Sequence, residues 1–187
     1  MRRGGAPSPK PPRRICVFAG AGAGNDPAFA AAARELGATI AARNLGLVFG
    51  GETAGLMGAV ADGAATAGGE VIGVIPAVLA GKGTPHPAAE IRLVDTLAER
   101  KLLMSELSVG FIALPGGLGT LDELTEMVTW TQLGVHDKRV VLLDVLGCWA
   151  KLEELLDAMV ANGFLRPEAR ALLRLETDPV AAVEALA

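Results

Sequence analysis

Short apolar runs alternate along this chain with longer stretches in which apolar residues recur every three or four positions. The short runs cover residues 15–19, 45–49, 71–75, 91–94, 110–114 and 140–144. Most are apolar throughout, the pattern of strands buried on both faces of a parallel sheet. The longer stretches, 27–43, 55–67, 96–107, 120–133 and 150–162, predict helices, and a pair of short helices follows Pro167. Gly46, Gly68-Gly69 and Gly163 fall where helices should stop. This alternation predicts an α/β doubly wound parallel sheet in a single domain, residues 15–187. In such folds ligands bind beyond the carboxyl ends of the strands. The one long irregular segment, residues 76–89, is rich in proline and glycine and is expected to form a mobile loop over that edge.

Composition narrows the function. The chain has 187 residues, 51% of them hydrophobic and only 4% aromatic, so its core is aliphatic. A net charge of -4 and the lack of a basic stripe argue against a nucleic-acid partner. Cys16 and Cys148 make neither a disulfide framework nor a zinc spacing, and with only His86 and His136 beside them no metal site is expected. Cys16 lies inside a strand pattern and reads as a small core residue. Residues 1–14 hold Arg2, Arg3, Lys10, Arg13, Arg14 and four prolines, and read as a disordered tail. The apolar run after them is too short for a signal peptide. No run reaches the ~18 residues of a membrane span, so a soluble, cytoplasmic protein is expected.

Three strand ends carry glycine loops: Gly20 to Gly24, Gly50 to Gly55 and Pro115 to Gly119. The first fails the dinucleotide fingerprint, since Asn25 stands where a glycine is needed and the second strand ends in Gly50-Gly51 rather than an acidic residue. No Walker lysine follows any loop, so triphosphate hydrolysis is not expected. The third run, Pro115-Gly116-Gly117-Leu118-Gly119-Thr120-Leu121-Asp122-Glu123, passes from a strand to a helix start. Backbone N–H groups and the helix terminus there suit a phosphate. Glu123 then has two readings: a carboxylate beside the phosphate loop, or the far half of a capping box with Thr120 as N-cap. Arg100 shares a helix face with Leu97, Leu103, Met104 and Leu107. It either looks into a cleft with a partner or snorkels from the edge of the stripe.

Gly51 to Ala61 with Gly55-Leu56-Met57-Gly58, then Val71 to Pro76, Glu99-Arg100-Lys101, Pro115 to Glu123, and Trp130 to His136 occur in that order. Together they closely resemble the LONELY GUY (LOG) family of cytokinin riboside 5'-monophosphate phosphoribohydrolases, whose members have often been labelled lysine decarboxylases. The resemblance runs from about Ile15 to Phe164. It implies a Rossmann-like fold, a homodimer with its site near the subunit interface, and no cofactor or metal. The implied reaction is hydrolysis of the N-glycosidic bond of an adenosine-type 5'-monophosphate to free base and ribose 5-phosphate. It places Arg100 and Glu123 as the catalytic pair. Gly116, Gly117, Leu118, Gly119 and Thr120 would hold the phosphate, with Lys101 and Thr129 contributing to the pocket. Nothing marks Lys82, Lys101, Lys138 or Lys151 as the Schiff-base lysine that a pyridoxal enzyme needs.

The chain departs from the family pattern in places. Ala21 and Gly22 replace serines of the first loop, Glu52 replaces a third glycine, Ala98 a histidine and Val109 an aspartate, and a glutamate is missing from Gly81-Lys82-Gly83. Glu52 matters most, because a carboxylate facing a bound phosphate would repel it; it has the sugar or solvent as other places to face. Two further readings share the fold and loops: a nucleosidase for cytidine or guanosine monophosphate, and a nucleotide or molybdenum-cofactor carrier without catalysis.

Overall fold

The computed structural model describes residues 13–186. Its strands are β1 (Arg14–Phe18), β2 (Gly46–Phe49), β3 (Val71–Pro76), β4 (Glu90–Val94), β5 (Gly110–Ala113), β6 (Val140–Leu143) and β7 (Leu173–Glu176). They form one seven-stranded sheet in the order β4-β3-β2-β1-β5-β6-β7. Every pairing is parallel. The helices are α1 (Pro27–Ala42), α2 (Gly55–Thr66), α3 (Leu97–Glu106), α4 (Leu118–Leu133), α5 (Ala150–Ala161), α6 (Pro167–Arg170) and α7 (Pro179–Glu184).

The continuous apolar strands are explained by burial on two faces. Ile15 and Val17 of β1, Leu47 and Phe49 of β2 and Ile112 of β5 face a layer that includes Leu36, Ile40, Val60 and Ala182. Their strand neighbours Cys16, Phe18, Val48 and Phe111 point the other way, onto Met104, Leu124, Met127 and Trp149. Cys16 is fully buried, as expected of a core residue. Each large side chain buried in this way contributes roughly 1.5–3 kcal/mol.

The fold departs from the sequence pattern at two places. Arg14, expected in the tail, opens β1 and pairs with Glu70 at 2.7 Å; the rest of the expected tail, up to residue 12, lies outside the described residues. Leu173–Glu176, expected within a helical pair, is β7, which adds to β6 at the sheet edge. Its half-buried Leu173 and Leu175 alternate with Arg174 and Glu176, a short amphipathic strand that the continuous apolar pattern does not reveal. The segment between β3 and β4 begins with a 3-10 turn, Ala77–Leu79, and is laced to the loop after β2.

Helices α1 and α2 pack almost backbone to backbone. A methyl group at Gly37 of α1 would fall inside contact distance of the Val60 carbonyl oxygen and lie 2.7 Å from the Ala64 nitrogen. Helix propensity alone gives Gly37→Ala a stabilisation of roughly 1 kcal/mol. The crowding decides the sign the other way: we expect a loss of about 1–3 kcal/mol, read as a lower urea midpoint. A higher midpoint would show that the two helices separate at little cost.

Candidate active site

The strand order reverses direction at β1, which has β2 on one side and β5 on the other. The loops leaving β1 and β5 therefore part, and a crevice opens at the carboxyl edge. A cleft of about 720 Å3 occupies it, bordered by Gly20 and Gly22, Glu52, Arg100, the Gly116-Gly117 loop, Thr120 and Glu123. At its floor the Gly20 N–H donates to the Pro115 carbonyl at 3.1 Å. Gly116 must lack a side chain, because a Cβ there would lie 2.6 Å from the Thr120 Cβ and 3.0 Å from the Gly20 nitrogen.

The N-termini of α2 and α4 both border this cleft, and they differ in the donors they leave for an anion. In α2 the Leu56 and Met57 N–H groups both donate to the Gly20 carbonyl, at 3.0 and 3.3 Å. Helix α4 starts from Gly117, an extended residue with no side chain to cap the turn that follows. Its first-turn N–H groups have no partner within the helix. They lie where Gly117, Gly119 and Thr120 line the cleft, and the helix terminus adds positive partial charge.

This geometry corrects the capping-box reading. Helix α4 begins at Leu118, two residues before Thr120, so Thr120 sits inside the first turn and is buried. Glu123 does not reach back to it. The Glu123 carboxylate instead lies 3.3 Å from Arg100 Nη1, and both side chains are close to 90% shielded from solvent. The Arg100 guanidinium spans the sheet edge: Nε donates to the Val74 carbonyl at 3.1 Å and Nη2 to the Gly50 carbonyl at 3.5 Å. A Cβ at Gly50 would sit 2.5 Å from Nη2, so that glycine makes room for the guanidinium. Arg100 is thus largely shielded and paired rather than snorkelling. Among the four apolar residues of its stripe, Met104 is buried and Leu97 is out in solvent.

Burial is the main influence on Glu123 and lifts its pKa to about 7; Arg100 pulls the other way, Asp122 adds to the rise and Lys101 opposes it. The group therefore changes charge near neutrality, the condition for efficient proton transfer at physiological pH.

The cleft gathers Arg100, Glu123, Gly116, Gly117, Gly119 and Thr120. It does not gather the other three residues expected there. Leu118 is 85% exposed. Lys101 follows Arg100 by one residue, a rotation of about 100° around the helix, and its ammonium pairs with Asp122 at 2.9 Å and Glu126 at 2.5 Å. Thr129 is exposed and its hydroxyl donates to the Thr125 carbonyl at 2.7 Å. Phe29, Met57, Leu79 and Cys148 also line the cleft and were not expected. Gly147 is the sequence signal for the turn after β6 that carries Cys148, in which Leu146 and Gly147 both take positive φ; Leu79 rests on a short 3-10 turn that leaves none.

A family model described as "Possible lysine decarboxylase" matches residues 57–186. A cytokinin riboside 5'-monophosphate phosphoribohydrolase of Arabidopsis thaliana is 45% identical over 162 residues, covering 86% of this chain and 76% of the relative. One from Oryza sativa subsp. japonica is 43% identical over 162 residues, covering 86% and 67%. Among solved structures, the molybdenum cofactor carrier protein of Chlamydomonas reinhardtii superposes with a TM-score of 0.71 at 25% identity, covering 94% of this chain and 98% of that one. The molybdenum cofactor binding protein of Rippkaea orientalis gives 0.67 at 25% identity, covering 92% and 94%.

The raised pKa of Glu123 has a consequence for folding. The native state holds this proton more tightly than the unfolded chain does. Its contribution to stability is complete below the unfolded value of 4.5 and is lost as pH rises through about 7. Glu123→Gln removes the titration. From pH 5 to pH 8 the stability difference between variant and parent should move in the variant's favour by up to about 3 kcal/mol, measured by urea unfolding at both pH values. An unchanged difference would mean that the carboxyl is not desolvated as drawn.

Proposed function

The chain belongs to the LOG family of cytokinin riboside 5'-monophosphate phosphoribohydrolases, and from that premise we propose that Arg100 and Glu123 carry its chemistry and the α4 terminus holds the phosphate. The reaction is hydrolysis of the N-glycosidic bond of an adenosine-type 5'-monophosphate to free base and ribose 5-phosphate. The observation that carries the residue assignment is the shielded Arg100–Glu123 pair set beside an uncapped helix N-terminus in one cleft.

Cleavage sends the bonding electrons of C1' to the departing base and leaves oxocarbenium-like charge on the ribose. The Glu123 carboxylate stabilises that charge and takes the proton of the water whose oxygen bonds to C1'. The base leaves with the electron pair and takes a proton from solvent, and Glu123 returns the water's proton to solvent, so one water is consumed overall. Arg100 is committed to Val74, Gly50 and Glu123 and stays charged, so it orients the carboxylate and is no proton donor. Its positive charge also keeps the Glu123 pKa from rising further. The decarboxylase description does not fit the site: among the described residues no lysine lines the cleft, and Lys101 is held in two ion pairs.

A dimer belongs to the same reading. Leu93 and Leu97 are exposed on β4 and α3, as are Leu133 and Val135 at the end of α4, and apolar surface of this kind commonly marks an interface. A cytoplasmic location is also proposed, consistent with a nucleotide substrate and two free thiols. Among the described residues no helix is long and apolar enough to cross a membrane.

Incubation with adenosine monophosphate and its N6-isopentenyl form should release base, and their nucleosides should release none. Tight binding without release would support a carrier, and release only from cytidine or guanosine monophosphate would support the other nucleosidase reading. Glu123→Ala should lower kcat by about 10²–10⁴-fold. The parent's kcat should rise with pH through about 7, and Arg100→Ala should displace that limb to higher pH; an unmoved limb would remove Arg100 from its orienting role. Light scattering should give twice the 19.1 kDa chain mass, and a monomer would refute the dimer.

A further inference from the structure

Glu52 is a charged group of the cleft that the reaction described above does not use. It is firmly placed. The loop after β2 is laced to the segment ahead of β4 by hydrogen bonds from Thr53 N–H to the Thr84 carbonyl and from His86 N–H to the Gly51 carbonyl, both 2.9 Å. Glu52 itself bridges to Pro85. His86 anchors the strap: its buried ring meets Phe49 edge-on and its Nε2 lies 3.1 Å from Asp62 Oδ1. The Glu52 carboxyl packs on Gly83, where a Cβ would come within 2.5 Å of its Cδ. The carboxylate forms no ion pair among the described residues.

Its position relative to the phosphate loop decides what it meets. Glu52 follows β2 and Gly116-Gly117 follow β5, with β1 between them. Two strand spacings separate them, about 10 Å. For a nucleotide with its phosphate on α4 and its ribose over Glu123, the β2 side of the cleft is open to the base, and Glu52 stands on that wall. A carboxylate only accepts hydrogen bonds, and a charged acceptor is stronger than a neutral one.

We infer that Glu52 selects the nucleobase by accepting a hydrogen bond from its exocyclic N–H. This rests on the hydrolase reading for the orientation of the substrate. Adenine and N6-monosubstituted adenines retain such a hydrogen and fit. An N6,N6-disubstituted adenine has none and leaves the carboxylate facing alkyl groups, desolvated and unpaired, which is costly.

The test compares kcat/KM for N6-methyl-AMP and N6,N6-dimethyl-AMP in the parent, Glu52→Gln and Glu52→Ala. The parent should prefer the monomethyl substrate by about tenfold or more. Glu52→Ala should compress the ratio to within about threefold, and the near-isosteric Glu52→Gln should fall between, with thermal unfolding confirming that each variant folds. A ratio unchanged in Glu52→Ala would assign the preference to bulk alone and overturn the inference. An equal gain on both substrates would overturn it too, leaving Glu52 as a charge that merely repels phosphate. Absence of base release from either nucleotide by the parent would sink the hydrolase reading instead. The affinity ratio of the two nucleotides for the same three proteins, by calorimetry, would still decide the role of Glu52.

Discussion

The guanidinium of Arg100 is the constraint on which the site is built. Its side chain crosses the carboxyl ends of β3 and β2 and ends against a carboxylate on α4, so three elements must arrive in register around one planar group. Gly50 has to be bare beneath it. A buried ion pair of this sort is a poor source of stability, since desolvation offsets most of the attraction, while removing one partner costs about 3–5 kcal/mol. Its presence is understood through what it does to Glu123. It fixes the carboxylate in a dry place and moderates the rise in pKa that burial imposes.

The charge inventory of the cleft bears on how it holds an anion. Among the described residues its charged lining is Arg100, Glu123 and Glu52, and the cation of the three is already engaged. The donors left for an anion are the backbone N–H groups at the start of α4, where Gly117 offers no competing side-chain cap. Directional backbone donors in a recess read the shape of a phosphate monoester and are screened by salt less than surface lysines would be. The chain keeps its spare lysine out of this role: Lys101 is neutralised on the neighbouring surface by Asp122 and Glu126.

Much of this architecture was legible in the chain, and the exceptions share a cause. The five inner strands announce themselves because burial on both faces makes them apolar almost throughout; the edge strands are exposed and carry charges, Glu90 and Arg92 in β4 and Arg174 and Glu176 in β7, so their signal is weaker and only β4 was read. Arg100 and Glu123 were legible because each is a charge in the wrong place, one on an apolar stripe and the other beside a glycine loop. The start of α4 was misread because Thr120 and Glu123 have the spacing of a capping box, whereas the helix begins at Leu118, directly after an uncapped glycine. Lys101 and Thr129 came from likeness rather than geometry, and in the folded chain their side chains turn to other partners. The meaning of Gly50 could not be read at all, because the atom that requires it belongs to a residue fifty positions later.

The place of β1 has a consequence for how the molecule is made. Among the described residues the first strand is the central one, and every later strand adds beside one already present: β2, β3 and β4 outward on one side, then β5, β6 and β7 on the other. No strand has to be inserted between two others, which suits a chain that emerges from the ribosome amino end first. Until residue 110 is available, however, β1 keeps one edge unpaired, and that edge belongs to a strand whose residues from Ile15 to Phe18 end up almost wholly buried. A half-made chain therefore presents a sticky seam through its middle, and α4 arrives with the second half to supply the counter-charge for Arg100. Nascent chains stalled between α3 and β5 are the species for which a chaperone has work to do.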